Sequence, residues 1–185
     1  MKSPQLTFTI ADLDSFPDDG NIYEIIEGEL FVSRSPGFVH QCISSNLFAG
    51  LKSHCDINSL GYVLAGMGLI LDDFNGVIPD IIFVSNERCD HILSGDRLIG
   101  SPELVIEILS PGSSNERRDR KLKREIYARF GVNEYWIVDP ENRTLELYSL
   151  KENALELMAT FHENDDVTSL VLSGLKLSLK DVFKG

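Results

Sequence analysis

The sequence predicts one mixed α/β (α+β) domain in which a β-sheet is flanked by amphipathic helices. Three observations lead there. Two short runs crowded with β-branched and other apolar residues, Val77–Ser85 and Glu103–Pro111, read as buried strands, the second stopped by a proline that cannot extend a ladder. Helical patterns over residues 39–54 and 114–130 alternate with such strands. The length of 185 residues suits a single domain over residues 1–185 with one core, and no repeat, low-complexity tract or linker divides it.

Taken in order, Thr7 to Asp19 predicts a short helix, capped by Thr9 or Asp12 and closed by Pro17-Asp18-Asp19-Gly20. Residues Tyr23 to Val32 alternate acids with apolar side chains around Glu27-Gly28-Glu29, the pattern of a β-hairpin with one wet face that would include Glu24 and Glu29. From Val39 the period turns helical, with Ile43, Leu47 and Leu51 four apart and His40-Gln41 in the first turn. Tyr62–Ala65 and Met67–Leu71 read as strands leading through the turn Asp72–Gly76 into Val77–Ser85, with Asp80 inside that strand. A short helix is expected near Asn86–Ile92, followed by the break Ser94-Gly95-Asp96 and the strand holding Glu107.

The next helix opens on Ser113 and Glu116 at capping-box spacing and closes at Gly131. Leu122, Ile126 and Phe130 form its expected core stripe, with Asp119, Lys123 and Tyr127 as an adjacent row at i, i+4, i+8. Glu134–Asp139 and Thr144–Ser149 follow as strands joined by the turn Pro140–Arg143. Strands near Leu155–Phe161 and Leu175–Leu179 complete the chain.

Composition narrows the function classes. Apolar content of 43% and charged content of 25% are those of a soluble globular chain, and no apolar run approaches the roughly 20 residues of a membrane span. Met1–Gln5 lacks the apolar stretch of a secretory signal, so the expected location is the cytoplasm. Cys42, Cys55 and Cys89 are widely spaced and support neither a disulfide framework nor a zinc cluster. The net charge of −12 argues against a nucleic-acid partner, yet Arg117 to Arg129 gathers seven basic residues against two acids. That helix is either an anion-binding face or an ordinary solvated one.

The chemistry is carried by Asp80 and Glu107. A carboxylate in a buried strand is costly unless its charge is compensated, so two in successive strands imply a shared cation or a tight hydrogen-bond network. With a lysine in reach they form the set that metal-assisted phosphodiester hydrolysis uses. Carboxylates hold Mg²⁺ (or Mn²⁺), and the ammonium orients the attacking water and offsets developing charge. A salt bridge between Glu107 and Lys123 is the structural alternative. Glu103, on the same strand face as Glu107, is a further ligand or a solvated strand end. Tyr135 and Trp136 stack on bases or fill the core.

Pro79-Asp80 followed by Glu107-Ile108-Leu109 resembles the motif of the PD-(D/E)XK nuclease superfamily, and the wider sequence resembles its Uma-two family of restriction-endonuclease-like proteins. The likeness runs in order through Tyr23–Leu30, Pro36–Gln41, Pro79–Ser85, Pro102–Pro111, Asp119, Lys123, Tyr127, Gly131-Val132 and Glu134–Pro140. It implies a restriction-endonuclease-like core and a Mg²⁺-dependent DNA endonuclease, with Asp80 and Glu107 as metal ligands. Leu109 stands where the superfamily has its lysine, and the resemblance moves that role to Lys123 on the following helix. It also implies catalytic parts for His40 and for an upstream acid, Glu29 or Glu24. A homodimer is expected, pairing through an exposed apolar hairpin such as Tyr135–Tyr148. The competing function is a nuclease fold that binds nucleic acid or protein without cutting.

Overall fold

The computed structural model describes residues 6–110 and 118–184. Helix α1 (Ile10–Leu13) is one turn long, with Asp12 Oδ2 accepting from the Thr9 N–H at 2.7 Å. The hairpin of β1 (Ile22–Ile26) and β2 (Glu29–Ser33) turns at Glu27-Gly28, both at positive φ (54° and 73°), which suits the twist of a two-residue hairpin. Helix α2 (Phe38–Asn58) buries Ile43, Leu47, Leu51 and Cys55 at helical spacing and ends at Ser59, in the left-handed conformation. Strands β3 (Gly61–Ala65), β4 (Leu69–Asp72), β5 (Asn75–Val77) and β6 (Ile81–Ser85) lead into α3 (Asn86–Ile92), capped by Ser85. The break predicted at Ser94–Asp96 is the turn of a small hairpin, β7 (Leu93–Ser94) and β8 (Arg97–Ile99), and β9 (Leu104–Ile108) carries Glu107.

Arg118–Lys123 forms a π-helical turn that continues into α4 (Arg124–Arg129). The capping box expected at Ser113 and Glu116 lies outside the described residues. Then come β10 (Glu134–Asp139), β11 (Thr144–Lys151), β12 (Ala154–His162), the short pair β13 (Asp166–Val167) and β14 (Leu177–Ser178), and α5 (Leu179–Val182).

Two six-stranded mixed sheets organise these elements. The main sheet has the order β12-β11-β10-β9-β6-β3, with β9 and β10 parallel. The second has the order β2-β1-β5-β4-β8-β7. Side chains alternate across the main sheet with the period of two that a strand imposes. Leu104, Ile106, Ile108, Trp136 and Val138 pack on α2 and the C-terminal segment. Val105, Tyr135 and Ile137 pack toward Ile126 and Tyr127 and toward Ile26, Leu69, Val77 and Leu98 of the second sheet. By the same alternation Glu107 falls on this second face, between the two sheets.

The structure corrects several expectations. Asp80 precedes β6 instead of lying inside it, because Pro79 interrupts the run. Of the expected Leu122, Ile126 and Phe130 stripe, Ile126 is buried and the other two are half-buried against the core, and Asp119, Lys123 and Tyr127 form a second, fully buried row at 2%, 1% and 0% exposure. The π turn, with i→i+5 bonding, sits beneath that row. The Tyr135–Tyr148 hairpin is not exposed: Tyr135 is buried and Tyr148 nearly so, leaving β12 at the sheet edge. Leu175–Leu179 is a two-residue strand running into a helix. No described helix is long and apolar enough to cross a membrane.

Candidate active site

The ladder between β6 and β9 brings the two acids together. Ile81 pairs with Ile106, Ile82 with Val105 and Phe83 with Leu104, so one further step sets Asp80 opposite Glu107. At that step the strand bonding passes to a side chain, and the Ile108 N–H donates to Asp80 Oδ2 at 2.7 Å. His40, from the first turn of α2, places Nε2 3.3 Å from the same Asp80 oxygen and 3.1 Å from the Ile108 carbonyl. Two acceptors around one nitrogen mean that Nε2 carries the proton. Burial pulls the His40 pKa down, but the bond and charge of Asp80, helped by the Ile108 carbonyl, outweigh it and raise it above the ordinary value.

Glu107 is 4% exposed. Its Oε1 accepts from Lys123 Nζ at 2.9 Å and from the Tyr127 hydroxyl at 2.8 Å. Lys123 Nζ also lies 2.8 Å from Glu24 Oε1 and 3.9 Å from Asp119 Oδ1, so one buried ammonium serves three carboxylates. Glu24 Oε1 also accepts from the Ile78 N–H at 2.9 Å, which ties the hairpin to the segment entering Asp80. Arg118 closes the far side, with Nε 3.0 Å from Asp119 Oδ1, Nη1 2.7 Å from Ser33 Oγ and 3.6 Å from Glu24 Oε2. A cavity of about 50 Å³ is lined by Asp80, Glu107, Lys123, Glu24, Asp119 and His40 among others.

Glu24, Glu107 and Asp119 thus face Lys123 and Arg118 as their fixed cations, while Asp80 is paired with His40. Burial pushes the Glu107 pKa from 4.5 up to about 8; Lys123 pulls it down, and Asp119, Asp80 and Glu24 push it further up. Lys123 is held charged, because Glu107, Glu24 and Asp119 more than offset the burial that would neutralise it. A site with surplus buried negative charge and hard oxygen donors fits a divalent cation. Among the described residues no three His, Cys, Asp or Glu side chains converge as a complete metal cage. Mg²⁺ does not require one, since it is held by one or two carboxylates and completes its shell with water and substrate phosphate. Asp80 and Glu107 would supply those carboxylates.

Of the residues singled out in the sequence, Asp80, Glu107, Lys123 and His40 come together. Glu29 does not: it is exposed beside the hairpin turn, and the acid that reaches Lys123 is Glu24, buried at 2% and not on a wet face. Gln41 is exposed. Glu103 is bound, accepting from the Ser85 N–H at 3.0 Å and lying 3.5 Å from Arg88, so it anchors the start of α3. Tyr135 and Trp136 are both fully buried and serve the core. Among the described residues of the basic run Lys121 is exposed, but most of the others are engaged. Arg118 is spent as above, Arg120 pairs with Glu146 and Asp139, Arg129 with Glu27, and Arg124 lies 5.2 Å from the centre of the Tyr148 ring. Asp119, Tyr127 and Arg118 belong to the cluster although only the i, i+4, i+8 row hinted at the first two.

The model of one protein family, described as "Putative restriction endonuclease" (Uma2), matches residues 10–180. The chain is also similar in structure to the crystal structure of "a putative nuclease belonging to DUF820" from Anabaena variabilis ATCC 29413, with a TM-score of 0.76 and 22% identity over 95% of this chain and 97% of that one. That likeness extends to the whole fold: two mixed sheets with flanking helices make a nuclease-like architecture. No curated protein matches the chain.

Proposed function

We propose that this chain, which belongs to the Uma2 family of "putative restriction endonuclease" domains, is a metal-dependent DNA endonuclease whose centre is Asp80, Glu107 and Lys123. The observation that carries the reading is that Asp80 and Glu107 face each other across neighbouring strands while Lys123 Nζ sits 2.9 Å from Glu107. Asp80 and Glu107 would hold Mg²⁺ or Mn²⁺, which when bound would polarise the phosphate and acidify a water. Lys123, kept charged by its three carboxylates, is fixed where it can orient that water and meet charge developing on the phosphoryl oxygens. His40 holds the Asp80 carboxylate in place from the side of α2. Hydrolysis adds the water oxygen to phosphorus and breaks one P–O ester bond, leaving a phosphate end and a hydroxyl end.

A homodimer would give one cluster per DNA strand. The free thiols Cys42, Cys55 and Cys89 suit a reducing, cytoplasmic setting. One feature favours the rival reading, a nuclease fold that binds without cutting: Lys123 is 1% exposed and fully engaged, as a structural ion pair would be. Nicking of supercoiled plasmid in Mn²⁺ tests the choice. Loss of nicking in Asp80→Ala and Glu107→Ala variants that remain folded supports the enzyme, and an inert wild type supports the rival.

A further inference from the structure

A second cavity, of about 410 Å³, adjoins the cluster and shares His40 with it. That volume lies within the range of about 300–1,000 Å³ usual for small-ligand pockets. One wall is the first turn of α2, Gly37-Phe38-Val39-His40; among the described residues the remainder is Leu109, Ser110 and the β10–β11 turn, Asp139-Pro140-Glu141. Three of its features ask for a ligand. The helix has 21 residues, its N-cap is Gly37, and no side chain caps it. Among the described residues nothing accepts from the N–H groups of Phe38, Val39 and His40, and none of them compensates the helix dipole that ends in the cavity wall. His40 Nδ1 is enclosed and, among the described residues, has no hydrogen-bond partner, on a side chain only 10% exposed. Phe38 and Val39 stand 79% and 60% exposed at the rim, a poor place for large apolar side chains unless something covers them.

We infer that this cavity takes one nucleotide of the substrate strand beside the scissile phosphate, with its phosphate on the α2 N-terminus and its base against Phe38, Leu109 and Pro140. The inference deepens the nuclease reading and rests on it. Charge complementarity fixes the orientation. Asp139 and Glu141 repel a phosphate from their wall, although Asp139 is largely satisfied by the N–H groups of Glu141 and Asn142 and by Arg120. The α2 turn attracts one, and backbone N–H groups at a helix N-terminus are a ready phosphate site. Arg118, Arg120 and Arg129 of the basic run are committed to partners within the chain. Apolar walls with an exposed aromatic ring suit a base, which stacks without regard to sequence. Continuity with the cluster is direct, because the imidazole whose Nδ1 has no partner among the described residues also touches Asp80 through Nε2.

The test uses full-length protein and deoxyadenosine 5′-monophosphate, followed by amide chemical shifts, with inorganic phosphate as the second titrant. The nucleotide should move the signals of Phe38, Val39 and His40. Val39→Trp, which fills the cavity from an exposed position, should weaken its binding about tenfold or more, as expected when a base loses its stacking surface. Phe38→Pro should weaken both titrants. It deletes the first N–H at a helix position that accepts proline, and Gly37 already has the extended ψ of 172° that a following proline requires. Phe38→Ala should weaken the nucleotide only. Nucleotide shifts that are absent, or unchanged in Val39→Trp, overturn the pocket, and equal binding of phosphate and nucleotide shows an adventitious anion and overturns it too. Plasmid nicking by the wild type, scored separately, reports on the nuclease reading. Nicking without nucleotide binding sinks the pocket alone, and nucleotide binding without nicking keeps the pocket and removes the enzyme.

Discussion

Replacing Glu107 by Gln removes one ionisable proton site from the centre of the cluster while keeping its shape, and the effect should appear first in how stability depends on pH. In the folded protein burial raises the Glu107 pKa from 4.5 to about 8. Between those values the folded state keeps a proton that the unfolded chain has lost, so stability falls as pH rises. The contribution is whole below 4.5, declines through the window and is gone above about 8. Taken alone it amounts to no more than about 5 kcal/mol. His40, whose pKa is also raised, adds a decline of the same sign near neutral pH, so the comparison with the variant is what isolates Glu107. Urea unfolding of metal-free protein between about pH 5 and pH 8 should show the wild type losing several kcal/mol, while Glu107→Gln loses distinctly less. Parallel curves for the two proteins would mean that Glu107 is ionised throughout as an ordinary partner of Lys123, and the reasoning about surplus charge would fail.

Three further outcomes follow from the same geometry. Mn²⁺ or Mg²⁺ should raise the melting temperature of the wild type but not of Asp80→Ala; calorimetric scans with and without chelator decide it. Glu134→Ala should cost about 2–4 kcal/mol, because it strands the Trp136 indole N–H, the Ser169 hydroxyl and the Leu170 N–H that bond to its carboxylate, and limited proteolysis should find the C-terminal segment loosened. Gly61→Ala should cost more than about 2 kcal/mol by urea unfolding, because at φ 149° a new Cβ would lie 2.3 Å from the Val84 carbonyl oxygen, where β3 meets β6.

What the sequence made legible was local. The Asp80 and Glu107 runs are apolar enough to be strands, and an acid in each is conspicuous against that background. The β1–β2 turn and α2 also follow from turn chemistry and period. The second sheet was less visible, since β5, β7 and β8 are two or three residues long and carry almost no periodic signal. That sheet decides which glutamate is functional. Glu24 and Glu29 look alike on a hairpin, and only the packing of Ile78 and Lys123 against β1 buries the first and leaves the second in water. The basic run misled for a similar reason: its partners Glu27, Asp139 and Glu146 are distant in the chain, and only the fold pairs them. The π turn gave no sequence signal, and the half-buried Leu122 marks where α-helical spacing stopped being a guide.

The most direct measurement is plasmid nicking in Mn²⁺ by wild type and by Lys123→Met, which keeps the length of the side chain and removes its charge. Both are to be checked for native near-ultraviolet circular dichroism and for a metal-dependent rise in melting temperature, since a lost counter-ion among three buried carboxylates costs about 3–5 kcal/mol. The account predicts that the wild type nicks, that the variant still responds to metal, and that its nicking falls by a factor of about 100 or more. A wild type that does not nick, or a folded variant that nicks as well as the wild type, contradicts it.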